Sequence, residues 1–441
     1  MSWYFENDQK TSEDCLFLDV YVSGKAVRGE ASDLPVLNWI YSGGYVFGSK
    51  HYLIYNSGMW LENTENNVVY VSANHRMGAF GFLNGPTVEQ EATGNVGLLD
   101  QRATLQWIRD YIHLVGGDNE AVTAWDLSSG AGSIMHHLVA QGGQSDPLLQ
   151  RAIMNSPALV PTYDNASMET SFQDFAGLLG CEGKGIACLR NMSEAALQNA
   201  SAYTCINAPK GRFGFGPAID HEYIFDLPGN ELRKGNYWKD VSVLLSHVYR
   251  EGYIFTDDEV KTDQDFQTYI QNNFPNMTES ATQQFLDLYP ATDQSTFDRL
   301  ENVVSKWAVT CNVRWLAKAY QGSAWGYRFN VAPGFHGEDT LFNWFRAGLS
   351  VGGSYELDIN FFSPSSTSVA SITQAKIASF ARSGDPNTFR PSKLADIPLT
   401  IVTETLNLLD ITHSGVALVA DEETPRDECD WWQTAAWTGV V

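Results

Sequence analysis

Short runs of β-branched and aromatic residues alternate, over the first third of the chain, with stretches whose apolar positions recur at helical spacing. The runs 17–22 (FLDVYV), 36–40 (VLNWI) and 68–72 (VVYVS) are bounded by turn formers and predict strands. In 98–114, Leu105, Ile108 and Ile112 fall on one face of a helix. A further strand is expected at 122–125, a small-residue helix at about 130–139 and another strand at 152–154. The β pattern returns at 241–246 and 325–329, whereas 257–322 reads as largely helical. Strands that are apolar almost throughout, separated by helices, predict an α/β chain with a mostly parallel twisted sheet covered on both faces. Neither an internal repeat nor a Pro/Gly/Ser-rich linker interrupts the pattern. The stretches about 157–235 and 257–322 therefore read as helical insertions into one domain spanning 1–441. In such sheets chemistry gathers at the carboxyl ends of strands.

Composition removes several function classes. Hydrophobic residues make up 44% of the chain and charged ones only 18%, so a sizeable core is available and disorder is excluded. The net charge is −24, and no cluster of Lys or Arg offsets it. Such a surface repels phosphates, so no nucleic-acid partner is expected. No apolar run reaches the length of about 18 residues that a membrane span needs, and no integral membrane association is expected. The opening residues lack the basic start and apolar core of a signal peptide. Among six cysteines, Cys181 and Cys188 close a short loop. They form a candidate disulfide in an oxidising compartment, or else two ordinary thiols. Asn165, Asn191, Asn199 and Asn276 head glycosylation triplets, which also arise by chance in a chain rich in Asn, Ser and Thr.

The candidate chemistry centres on VTAWDLSSGAGS (122–133). A strand turns there into a small-residue helix start with Ser128 at the bend, the layout of a nucleophile elbow. Close backbone passage at such a bend calls for small residues two places either side of the serine. Gly130 meets the requirement and Asp126 breaks it; its side chain is expected to crowd the elbow and its charge to oppose a nearby oxyanion. A serine nucleophile also needs a base, an acid to orient the base, and amide donors for the oxyanion. Gly43 and Gly44, in YSGGY directly after the 36–40 strand, supply candidate donors, the alternative being an ordinary tight turn. His336, in a Gly-flanked loop after the 325–329 strand, is the candidate base, the alternative being a surface histidine. His247 is its rival. His136 and His137 read as helix-face residues and His75 as structural. Glu251, just after the 241–246 strand, is the candidate acid, or else a solvated partner of Arg250. Ser128, Glu251 and His336 run in the order nucleophile, acid, histidine, each shortly after a strand, as in α/β-hydrolases.

These residues sit among further motifs: SEDCLFLDVY (12–21), LPVLNWIYSGGY (34–45), NHRMGAFGFL (74–83), GNVGLLDQ (94–101), GGDNEAVT (116–123) and FARSGDPN (380–387). Together they resemble the type-B carboxylesterase family, which includes fungal esterases and lipases, cholinesterases and non-catalytic adhesion relatives. The resemblance runs from about Ser12 to Trp432 and is nearest in style to fungal carboxylesterases. It implies the α/β-hydrolase fold, a catalytic triad of Ser128, Glu251 and His336, and an oxyanion hole made by the N–H groups of Gly43, Gly44 and Ser129. It further implies disulfides Cys181–Cys188 and Cys311–Cys429, a small-molecule or lipid ester as substrate, no metal or organic cofactor, and secretion. Cys15 and Cys205 receive no partner. Family members carry an upstream portion with a signal peptide and early strands, so the N-terminal strands are expected to be missing. Departures from the family are Asp126, and Tyr41 and Ser42 where His and Gly are usual. The expected activity is ester hydrolysis through an acyl-enzyme on Ser128. Acyl transfer to an alcohol, or a catalytically impaired homologue acting by binding, fits the same scaffold.

Overall fold

A computed structural model describes residues 11–52, 54–55, 57–160, 165–345, 364–389, 395–400, 403–434 and 438. Within them the expected strands align in one sheet of nine, ordered β1 (Leu18–Tyr21), β3 (Val69–Ala73), β2 (Leu34–Trp39), β4 (Gly117–Leu127), β5 (Arg151–Asn155), β6 (Ser242–Val248), β7 (Ala324–Phe329), β8 (Leu406–Thr412) and β9 (Gly415–Asp421). From β3 to β8 all neighbours are parallel, while β1 and β9 close the two edges antiparallel.

Parallel strands covered on both faces explain why the apolar runs lack polar alternation. Val36, Val122, Ala124, Val243 and Leu245 face one core with Leu105 and Ile108 of the helix Val96–Tyr111 and with Ile134 and Leu138 of the helix Ser128–Gly143. Leu37, Trp39, Trp125, Ile153 and Leu244 face the other, with Ile377 and Phe380 of the helix Pro364–Ser383. Each of the Val, Leu, Ile and Phe side chains among these, taken wholly out of water, stabilises the fold by about 1.5–3 kcal/mol. A polar seam also crosses the sheet beneath the site. Trp125 Nε1 donates to Asn155 Oδ1, and Asn155 Nδ2 donates to Ser246 Oγ and to the Tyr327 hydroxyl, each at 2.7 Å. The seam ties β4, β5, β6 and β7 together where the chemistry is expected.

The sequence reading did not mark β8 and β9. Asn407, Asp410 and Thr412 dilute the apolar pattern of β8, and β9 leaves Leu418 65% exposed at the sheet edge. Disulfides join Cys181 to Cys188 and Cys311 to Cys429, and Cys15 and Cys205 are free thiols. No helix among the described residues is long and apolar enough to cross a membrane.

Candidate active site

β4 ends at Leu127 and the next helix begins at Ser128, whose φ of 58° is left-handed. A residue with a side chain pays about 1–3 kcal/mol for such a backbone, so the surroundings must enforce it. They do so through close passage: a Cβ on Gly130 would collide with the Ile40 carbonyl and the Asp126 carboxyl, and one on Gly132 with the Ala158 carbonyl. The Ala158 N–H donates to the Ser128 carbonyl at 3.0 Å and closes the turn.

Glu251 and His336, 85 residues apart, meet directly. His336 Nδ1 lies 2.5 Å from Glu251 Oε2, while the Val248 N–H at the end of β6 donates to Oε1 at 2.7 Å. Both carboxylate oxygens are thereby fixed. Burial works against ionising Glu251, yet the His336 ring and these donors hold its carboxyl below the usual range. The histidine loop is anchored in turn. Glu338 accepts the N–H groups of Gly334 and Phe335 at 2.9 and 3.1 Å, and Phe335 stacks on Tyr253 with ring centroids 4.2 Å apart. With Nδ1 engaged, His336 presents Nε2, which is buried and has no hydrogen-bond partner among the described residues. No hydrogen bond joins the Ser128 hydroxyl to Nε2. The two residues are linked by packing. A Cβ on Gly337 would reach the side chain of Leu127, the residue before the serine, at 4.0 Å, and Phe255 meets the His336 ring at 5.0 Å and lines a cavity with Ser128.

Gly43 and Gly44 follow β2 with φ of 135° and 61°. A Cβ on Gly43 would strike the Phe47 backbone, and one on Gly44 would lie 2.6 Å from the Phe213 ring, so both positions need glycine. Of the three expected oxyanion donors, Gly43 is already engaged: its N–H donates to Ser129 Oγ at 3.1 Å. Gly44 and Ser129 line the small cavity beside Ser128. Tyr41 turns away, exchanging hydrogen bonds with the His75 backbone at 2.8 and 3.1 Å and stacking on its ring.

Four other histidines are taken up by the interior of the protein. His247 has both ring nitrogens occupied, by the Val248 carbonyl and by Asp421. It therefore cannot serve as the base that it rivals in the sequence. His75, His136 and His137 are buried, which pushes them down to about 3, 4 and 3 respectively and keeps them neutral.

Asp126 differs from expectation. It is wholly buried, and burial pushes its carboxyl far up. Burial thus favours the neutral form of the carboxyl, which works against the expected opposition of charge, while the crowding against Gly130 persists. Asp339, also buried, is lifted to about 7 by burial and by the nearby Glu251 charge. The sequence reading missed Asp339 and the engaged Ser129 hydroxyl. Nothing in their local spacing signals either role.

Beside Ser128 the open space is small, about 30 Å³, bounded by Gly44, Ala158, Phe213, Phe255 and Trp307. Phe213 and Val160 also line a cavity of about 370 Å³ walled by Phe82, Met168, Phe172 and Phe215.

The sequence model of the carboxylesterase family matches residues 2–432. A secreted lipase of Arthroderma benhamiae is 33% identical, over 97% of this chain and 84% of its own length. The carboxylesterase patB of Aspergillus clavatus is 31% identical, over 97% of this chain and 77% of its own. Among solved structures, EstA of Aspergillus niger superposes with a TM-score of 0.83 and 26% identity, covering 99% of this chain and 86% of that one. A PNB esterase at 21% identity and a TM-score of 0.78 shares the same fold.

Proposed function

The chain belongs to the carboxylesterase family, and from that premise we propose that it hydrolyses carboxylic esters through an acyl-enzyme on Ser128, with His336 as base and Glu251 as its orienting acid. The family and its relatives make the chain a carboxylic ester hydrolase with the α/β-hydrolase fold. The triad assignment rests on one observation above the others: His336 spends Nδ1 on a buried Glu251 and keeps Nε2 buried and without a hydrogen-bond partner among the described residues.

In this mechanism Nε2 takes the Ser128 proton as Oγ attacks the ester carbonyl. Glu251 stabilises the resulting imidazolium without itself taking the proton. The oxyanion is met by the N–H groups of Gly44 and Ser129, and by that of Gly43 once the Ser129 hydroxyl gives way; each such donor is worth about 10²–10³ in rate. His336 returns its proton to the leaving alcohol, and water activated by the same nitrogen then releases the acid from Ser128. The substrates are small-molecule esters whose apolar part extends toward the Phe213 wall. The name of the secreted lipase relative also supports secretion of this chain.

Covalent labelling by an organophosphate tests the assignment. The folded protein should gain one adduct on Ser128 and lose esterase activity in step, and Ser128→Ala should do neither. A folded wild-type protein that resists labelling sinks the reading.

A further inference from the structure

We propose that His247 is a buried imidazolium that positions Glu251, and through it His336; this rests on the triad reading above. His247 is the second-last residue of β6 and Glu251 lies on the turn that follows. Its Nδ1 is 2.9 Å from the Val248 carbonyl oxygen, which can only accept, so Nδ1 carries a hydrogen. Its Nε2 is 2.9 Å from Asp421 Oδ2. That carboxyl also accepts the Thr424 hydroxyl at 2.9 Å and the Glu423 N–H at 3.2 Å, and Arg328 stands 3.6 Å away. A carboxyl ringed by donors is ionised, so Nε2 carries a hydrogen as well. A ring that donates from both nitrogens is a cation.

The charges packed around it come from every neighbouring element. Arg328 on β7 lies opposite His247 in register and bonds Asp410 on β8 at 2.7 Å. Asp421 ends β9, and Glu423 beyond it pairs with Lys306 at 3.3 Å. His247 and Arg328 thus balance Asp421 and Asp410, and the next anion is Glu251. Both side chains of the His247–Asp421 pair are fully excluded from solvent, so water cannot screen this field. Burial alone would lift the Asp421 carboxyl, yet His247 and the other donors bring it down to about 2, and His247 is raised. Geometry adds a mechanical link. The Val248 carbonyl accepts from His247 while the Val248 N–H donates to Glu251 Oε1, so one residue's backbone is clamped from both sides.

His247 is therefore a positioning residue, and two measurements test the role. In the wild-type protein carrying ¹⁵N-labelled histidine, an imidazolium signal should persist at about pH 8.5, where exposed histidines are neutral, and should be absent from His247→Gln. Its absence from the wild type overturns the proposal and needs no variant to fold. The second readout is the pH profile of ester hydrolysis. Removing a nearby cation makes Glu251 easier to protonate, so His247→Gln should move the acid limb of kcat/KM to higher pH by about half a unit or more. The fall should appear in kcat with KM little changed. A uniform loss at every pH with the limb unmoved would mark His247 as a packing residue only. If the wild type neither labels with an organophosphate nor hydrolyses esters, the triad reading fails, and the histidine signal still reports separately whether the cation exists.

Discussion

The Ser129 hydroxyl accepts a hydrogen bond from the Gly43 N–H at 3.1 Å, across 86 positions of sequence. The residue after the proposed nucleophile thus occupies, with its side chain, a donor proposed for the oxyanion. A methyl side chain at this position cannot accept that bond. Ser129→Ala should free the Gly43 N–H and raise kcat on a simple aryl ester by about tenfold, short of the full worth of one donor because the hydroxyl can swing aside at the transition state. Equal or lower turnover in a stably folded Ser129→Ala would show that the hydroxyl holds the glycine loop in its working shape.

Glu251 uses one oxygen on the Val248 N–H and the other on His336. Glu251→Gln keeps the shape but turns one oxygen into a donor, which favours the wrong imidazole tautomer. Turnover should fall by about 10³–10⁴-fold with the melting temperature almost unchanged. A loss below tenfold would remove Glu251 from the triad.

Much of this arrangement is legible along the chain. The runs that became β2, β3, β4, β5, β6 and β7 are apolar because helices cover both faces of the sheet, and Ser128, Glu251 and His336 each follow one of them. The edge hairpin β8–β9 escaped because a solvent-facing strand mixes exposed Leu418 with polar positions. Pair relations escaped for a different reason. Asp421 reaches His247 across 174 positions and Ser129 reaches Gly43 across 86, and no local periodicity encodes a contact between distant segments. The charge state of Asp126 depends on burial, which a single residue letter does not carry.

Asp126 contributes to stability in a pH-dependent way whose sign follows from its raised carboxyl. The folded state keeps a proton that the unfolded chain releases near pH 4, so the stability it contributes is complete below that pH and is lost as pH rises. Asp126→Asn removes the titrating group. Thermal unfolding of the two proteins should diverge steadily above about pH 4, by up to about 1.4 kcal/mol per pH unit, with the variant gaining relative to wild type. Parallel melting curves from pH 4 to 8 would show that Asp126 is ionised in the folded protein.

Asp339 has the same sign and a closed window. Its folded value of about 7 places the loss between about pH 4 and 7, after which it levels off. Asp339→Asn should flatten that part of the stability profile. It should also remove any inflection near pH 7 in kcat/KM, because the charge that develops there lies close to Glu251 and His336. Persistence of both features in the variant would assign them to another group.

Phe213 lines both the small space at Ser128 and a larger cavity. Its ring rests against Gly44 and lines both spaces, of about 30 and 370 Å³. The first has little room beyond a short acyl group, and a longer chain that reached the second would gain apolar contacts with Phe82, Phe172 and Phe215. Phe213→Ala removes that wall while leaving the elbow, Glu251 and His336 in place. Each methylene that then leaves water for an apolar wall adds about 0.8 kcal/mol of binding, and six of them separate octanoate from acetate. Part of this is offset by ordering the chain and by the packing that the ring loses. The ratio of kcat/KM for a p-nitrophenyl octanoate over the acetate should therefore rise at least about tenfold. An unchanged ratio in a folded, organophosphate-reactive variant would mean that the chain leaves Ser128 by another route and that the larger cavity does not serve this reaction.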